Sequence, residues 1–148
     1  MQLQVGQKAP AFKSSNEKGD ILSLANYKGK KLVLYFYPKD DTPACTAEAC
    51  DLRDNYECFK SMGYEILGIS MDTEKKHSKF IKKFSLPFSL LSDPEHKIIS
   101  DYGVWGEKML FGRKYMGIIR TTFVINEKGI IEQIIDKVEA KNHSAQII

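Results

Sequence analysis

The chain reads as an α/β protein: a central mixed β-sheet flanked by helices, preceded by a short N-terminal β-hairpin extension. Three observations carry that reading. Two apolar runs rich in β-branched and aromatic residues, 32–37 and 64–70, have the length of buried strands. A helical pattern separates them, and a second follows, so the two strands pair in parallel through a crossover. Near the end, 121–125 and 130–135 flank the tight turn Asn126-Glu127-Lys128-Gly129 and pair antiparallel.

In order, Asn16-Glu17-Lys18-Gly19 is a turn between two short strands, with 21–24 as the return strand. The buried strand 32–37 stops at Pro38, which has no N–H to donate. A helix over 43–60 follows, its apolar face formed by Leu52, Tyr56 and Phe59 at i, i+4 and i+7. Strand 64–70 leads to a helix over 73–84 with Phe80, Ile81 and Phe84 inward, ending before Leu86-Pro87. Asp93 caps a short helix starting at Pro94 and closed by Gly103. Residues 104–119, with glycines at 106, 112 and 117, read as an irregular connection in which Trp105 shapes a loop wall. Strand–helix–strand–helix followed by a hairpin is the order of the thioredoxin-like fold. Ligands of such sheets bind beyond the carboxyl ends of the strands, where Pro38 and Cys45 lie.

A length of 148 residues predicts one domain, 1–148, burying roughly 68–70% of its unfolded surface. Net charge is only +3, and the Lys-Lys pairs at 30–31, 75–76 and 82–83 are dispersed, so no nucleic-acid partner is expected. Residues 1–6 lack the charged and apolar regions of a leader, and no run approaches the roughly 18 apolar residues of a membrane span. Three cysteines are too few, and odd in number, for a disulfide scaffold. A reducing, cytoplasmic setting is expected, with thiols used for chemistry.

Cys45 is the sharpest candidate. Thr42 fits an N-cap and Pro43 the first helical position, which puts Cys45 at N3. There the free backbone N–H groups and the helix dipole favour a thiolate. Thr42-x-x-Cys45 also copies the spacing of a capping box, which predicts the hydroxyl beside the sulfur. Arg120 is either a surface charge at a strand entrance or a functional group; of 22 basic residues only those at 53, 113 and 120 are arginines, which argues mildly for a use of its forked guanidinium. Arg53 reads as a structural or exposed charge. His77, His96 and His143 stand apart from one another and from the cysteines, whose spacing does not match a zinc knuckle; neither metal nor cofactor is expected.

Pro38-x-x-x-Thr42-x-x-Cys45 resembles the active-site motif of the peroxiredoxins. Thr42-Pro43-Ala44-Cys45-Thr46-Ala47-Glu48-Ala49-Cys50 resembles the subgroup called bacterioferritin comigratory protein or peroxiredoxin Q. Gly6-Gln7-Lys8-Ala9-Pro10-Ala11-Phe12 looks like the family's opening, and Arg120-Thr121-Thr122-Phe123-Val124-Ile125 like its second active-site segment. The resemblance implies a thiol-dependent peroxidase acting on hydrogen peroxide and alkyl hydroperoxides. It makes Cys45 the nucleophile within a site shared with Pro38, Thr42 and Arg120, the last serving the thiolate and the peroxide oxygens. It also makes Cys50 the resolving cysteine, forms a Cys45–Cys50 disulfide, and brings in thioredoxin or a similar dithiol as reductant, with no haem, flavin or metal. A monomer is expected. The role of Glu48 stays open. Cys58 has no counterpart in the motif and is expected to be a packed core thiol.

A thiol whose pKa falls from about 8.5 to about 6 gains only about thirtyfold in thiolate at pH 7. A fast peroxidase therefore also needs to orient the peroxide and stabilise the departing oxygen. Two rivals use the same sulfur: a thiol–disulfide oxidoreductase, which typically carries Cys-x-x-Cys, and a redox-sensing binding module, which stops after one equivalent of peroxide. Five residues of α-helix separate two side chains by about 7.5 Å of rise and about 140° of rotation. A disulfide needs Cα atoms within about 6.8 Å, so Cys45 and Cys50 cannot bond while both stay in one regular helix.

Overall fold

The computed structural model describes residues 2–148. A two-stranded hairpin opens the chain, β1 (Lys13–Ser15) with β2 (Ile21–Ser23), followed by a 3-10 turn (Leu24–Tyr27). The central elements are β3 (Lys31–Phe36), α1 (Pro43–Asp54), α2 (Tyr56–Ser61), β4 (Tyr64–Ser70), α3 (Glu74–Phe84), β5 (Ser89–Ser92) and α4 (Lys97–Asp101). A second hairpin, β6 (Trp105–Leu110) with β7 (Arg113–Ile118), precedes β8 (Thr121–Ile125) and β9 (Ile131–Ile135). The chain ends in a 3-10 turn (Ala140–Asn142) and α5 (His143–Ile147).

Five strands form the central sheet in the order β5-β4-β3-β8-β9. β3 pairs parallel with β4, and β4 with β5, whereas β3–β8 and β8–β9 are antiparallel. This is the expected mixed sheet. Alternation along β3 explains its unbroken apolar run, since both faces are covered. Leu32, Leu34 and Phe36 join one core with Leu67, Ile69, Ile99 and Phe123. Val33, Tyr35 and the following Tyr37 join the other, with Leu52 of α1, Phe59 of α2 and Phe80 of α3. Cys45 belongs to this second core. Tyr37 N–H still donates to Ile69 O at 3.1 Å, and the pairing then ends at Pro38.

Four segments differ from the sequence reading. The single helix over 43–60 breaks at Asn55, whose side-chain amide donates to Asp51 O at 2.9 Å, a local bond that competes with the backbone ladder. The strand β5 was not expected; it is a four-residue edge strand too short to show a period. The helix after Asp93 starts at Lys97 rather than Pro94, because the Asp93 carboxylate accepts from the N–H groups of Lys97 and Ile99 at 3.0 and 2.8 Å. Residues 105–118 form a regular hairpin, not an irregular loop. Its two-residue turn is Phe111-Gly112, both with positive φ (50° and 76°), as a type I′ turn requires. Trp105 is thus a strand residue, and its ring stacks on His96 at 4.2 Å between centroids.

No helix among the described residues is long and apolar enough to cross a membrane. Tight packing beneath the site is tested at Gly68 of β4, where an added Cβ would lie 2.7 Å from Leu90 Cδ2 and 2.8 Å from the Tyr35 ring. Gly68→Ala is expected to lower unfolding stability by about 1–3 kcal/mol, read from the midpoint of urea unfolding at unchanged slope.

Candidate active site

Three elements meet at the carboxyl end of β3: the loop 38–42, the first turns of α1 and the start of β8. Pro38 is half-buried and turns the chain out of the sheet. Asp40 then fastens the loop. Its carboxylate accepts from Tyr37 OH at 2.5 Å and meets His77 Nδ1 at 2.7 Å, while its N–H donates to Asp72 Oδ2 at 2.8 Å. Ser70 Oγ donates to the same Asp72 oxygen at 2.7 Å, and His77 Nε2 donates to Leu91 O at 3.2 Å. Asp40, Asp72 and His77 bring ligand atoms within 4.8 Å of one another. The atoms that meet are already hydrogen-bonded within the protein, so the cluster is a latch for the loop. Asp41 adopts a positive φ of 57° and pairs with Lys83 at 2.8 Å on the outside.

Thr42 occupies the N-cap in extended conformation, and its carbonyl accepts from Thr46 N–H at 2.8 Å to start α1. The predicted capping box does not form. Thr42 Oγ1 donates to Lys39 O at 2.8 Å, so its proton closes the loop instead. Cys45 sits at the third helical position and is 1% exposed. Its sulfur accepts from Arg120 Nη2 at 3.2 Å.

Arg120 is the hinge of the site. The same guanidinium donates from Nη1 to Glu48 Oε1 at 2.6 Å. Cys45 and Glu48 are three residues apart on α1 and so share one face, and the fork spans both. Sequence reasoning missed this pairing, although the three-residue spacing of Cys45 and Glu48 is its legible signal. Glu48 is fully buried. Burial raises its pKa to about 7, against the opposing pull of Arg120. Burial alone would lower the Arg120 pKa, but the charges of Glu48 and Cys45 outweigh it and raise it.

His143 stands behind Glu48, a place in the site that the sequence reading did not assign to it. Nδ1 donates to Gln146 Oε1 at 2.8 Å, leaving Nε2 to accept from Thr122 Oγ1 at 2.7 Å. Nε2 also lies 3.5 Å from Glu48 Oε2. Burial lowers the His143 pKa below the ordinary imidazole value, so the ring is neutral at pH 7. The C-terminal segment therefore closes the back of the site, and Ser144 N–H adds a bond to Asp51 Oδ2 at 2.6 Å.

The other thiols lie further along. Cys50 is half-buried on α1, and all three cysteines are free. Cys58 is exposed on α2, not a packed core thiol; its neighbour Phe59 takes the inward position, and one residue of helix turns Cys58 about 100° away from it. Arg53 binds Asp54 Oδ1 and Phe84 O, a structural role away from the sulfur.

Comparison with known proteins gives the chain a family and a set of structural neighbours. The AhpC/TSA family matches residues 5–134. A bcp-type peroxiredoxin of Coxiella burnetii is 49% identical over 148 residues, covering 100% of this chain and 98% of its own. Peroxiredoxin Bcp of Bacillus subtilis is 47% identical over 148 residues, covering 100% and 94%. Among solved structures, the bacterioferritin comigratory protein of Xanthomonas campestris, described for its alkyl peroxide reduction activity in trapped intermediate and ligand complexes, superposes with a TM-score of 0.89 at 32% identity, over 97% of this chain and 94% of its own.

Glu48 carries a pH signature. Its folded pKa lies above its unfolded value, so the native state holds the extra proton between 4.5 and about 7. Its contribution is complete below 4.5 and is lost as pH rises through about 7. Relative to Glu48→Gln, the wild type is expected to lose stability steadily across that window and to stay level above it. Urea unfolding of both proteins at pH 5, 6, 7 and 8 checks the sign; a flat difference contradicts it.

Proposed function

The chain belongs to the AhpC/TSA family and is a thiol-dependent peroxidase, a peroxiredoxin, and we propose that Cys45 is its peroxidatic nucleophile. The observation that carries the assignment is the single guanidinium of Arg120 spanning Cys45 Sγ and Glu48 Oε1. One cation favours the thiolate, and its buried partner fixes the fork in place. Thr42 completes the site. With its proton committed to Lys39 O, its oxygen offers only an acceptor, which suits the O–H of a hydroperoxide. Pro38 ends the strand and starts the loop that leads to Thr42 and the first turn of α1.

In the first step the Cys45 thiolate attacks the terminal oxygen of the peroxide and the O–O bond breaks. The sulfur is oxidised to sulfenic acid, and the departing oxygen takes a proton and leaves as water or an alcohol. Arg120 stabilises the developing negative charge on that oxygen. Cys50 then attacks the sulfenic sulfur, releasing water and forming the Cys45–Cys50 disulfide. A dithiol reductant returns both thiols. We take thioredoxin, or a dithiol like it, for that reductant, and hydrogen peroxide and alkyl hydroperoxides for the substrates; the Xanthomonas campestris relative supports the alkyl class. Residues 1–148 act together as one peroxidase domain, as a monomer, and the three free thiols suit a cytoplasmic setting.

A coupled assay of peroxide consumption with thioredoxin, thioredoxin reductase and NADPH tests the cycle. Wild type is expected to turn over many equivalents. Cys45→Ser is expected to be inactive, because a serine hydroxyl is not ionised at neutral pH. Cys50→Ser is expected to consume about one equivalent and stop at the sulfenic acid, trapped by dimedone. Sustained turnover by Cys45→Ser overturns the nucleophile, and thioredoxin recycling by Cys50→Ser but not by Cys58→Ser overturns the resolving cysteine.

A further inference from the structure

Lys108 of β6 lies outside the active-site motifs, yet its side chain is tied to the end of β7, just ahead of Arg120. In the β6–β7 hairpin, directly opposed residues share a face. Lys108 opposes Tyr115, and Gly106 opposes Gly117 on that same face. The two glycines leave a bare notch beside the lysine. Its stem folds into that notch, so that Lys108 Cδ would lie 3.3 Å from a Cβ placed at Gly117. Nζ ends by donating to Ile118 O at 2.9 Å, two residues before Arg120. A lysine on a surface hairpin ordinarily extends into water. This one is half-buried instead.

The position is electrostatically unfavourable by itself. Burial lowers the Lys108 pKa, the neighbouring Arg120 lowers it further, and Cys45 opposes both. Two cations held close together cost stability unless an anion lies between their fields. Arg120 divides its fork between Glu48 Oε1 and Cys45 Sγ, and Cys45 is the group whose charge offsets the penalty on Lys108. Besides Lys108, the titratable groups facing Cys45 are Arg120 at the start of β8, Glu48 on α1 and the buried Tyr35 on β3.

We propose that Lys108 is an electrostatic positioning residue of the peroxidase, its ammonium fixed by the Ile118 carbonyl so that it adds to Arg120 in favouring the Cys45 thiolate. The proposal rests on Cys45 being the nucleophile. The β6–β7 hairpin thereby has a task in the reaction, since it carries the second positive charge to the sulfur.

The test compares Lys108→Gln, Lys108→Met and Lys108→Arg by the pH dependence of stopped-flow peroxide reduction in single turnover. Lys108→Gln keeps a donor for the Ile118 carbonyl but removes the charge, so it separates electrostatics from fastening of the hairpin. Both neutral variants are expected to move the acid limb of the profile upward by roughly half to one pH unit, a threefold to tenfold loss of rate on that limb. Lys108→Arg is expected to restore it. If Lys108→Gln follows the wild-type profile, the lysine only fastens the hairpin and the proposal is wrong. A Cys45→Ser control separates the two claims: a reaction that survives in it removes the nucleophile assignment, whereas a reaction lost in it with Lys108→Gln unshifted removes only the role of Lys108.

Discussion

Cys45 and Cys50 occupy one unbroken helix, and a wound helix keeps them from bonding. Each feature that favours a reactive sulfur is built on that wound state. The first-turn amides need helical backbone at 43–46. The Arg120 fork needs Cys45 and Glu48 on one face, one turn apart. In the proposed cycle the sulfur is activated by a geometry that must be dismantled before the disulfide forms. The reduced and oxidised proteins then differ locally in fold, and the price of recycling is the loss of the same contacts that made the first step fast.

What bounds the opening is visible on either side of the helix. Ahead of it, Asp40 is tied to Tyr37, His77 and Asp72, all anchored on or beside the central sheet. Behind it, Asp51 is held by Ser144, and the chain breaks at Asn55 into α2. Between these ties lie Cys45, Glu48 and Cys50. Glu48 is the most strained member, fully buried with its pKa pushed up to about 7, and it is stable there as an anion only through Arg120. Withdrawing Arg120 from the pair raises the Glu48 pKa further, so the carboxyl takes a proton and the tie between α1 and β8 is lost.

Much of this was legible in the sequence, and the rest failed for identifiable reasons. The buried strands at 32–37 and 64–70, the start of α1 after Thr42 and the turn at 126–129 were signalled by composition and local turn chemistry. The hairpin at 105–118 was missed because its type I′ turn uses Phe111-Gly112 in place of Asn-Gly, and its residues do not alternate apolar with polar. Arg120 was found through the resemblance of the 120–125 segment, with only mild support from its rarity among lysines, but its buried partner was not, because Glu48 looks like any helical glutamate until the fold places it against β8. His143 is the same case at longer range: its contact with Glu48 joins positions that only the docked C-terminal segment brings together. Cys58 was misplaced because its lack of a motif counterpart was read as burial, whereas the apolar face of the helix, with Phe59 on it, already leaves Cys58 outside.

Amide hydrogen exchange in the two redox states tests the central claim most directly. Residues 43–52 are expected to exchange slowly in the reduced protein and to lose protection once the Cys45–Cys50 disulfide, confirmed by mass spectrometry, has formed. The strand at 31–36 is expected to stay protected in both. Equal protection of 43–52 in both states, with the disulfide in place, would contradict the account, because it would mean that the bond forms without unwinding α1.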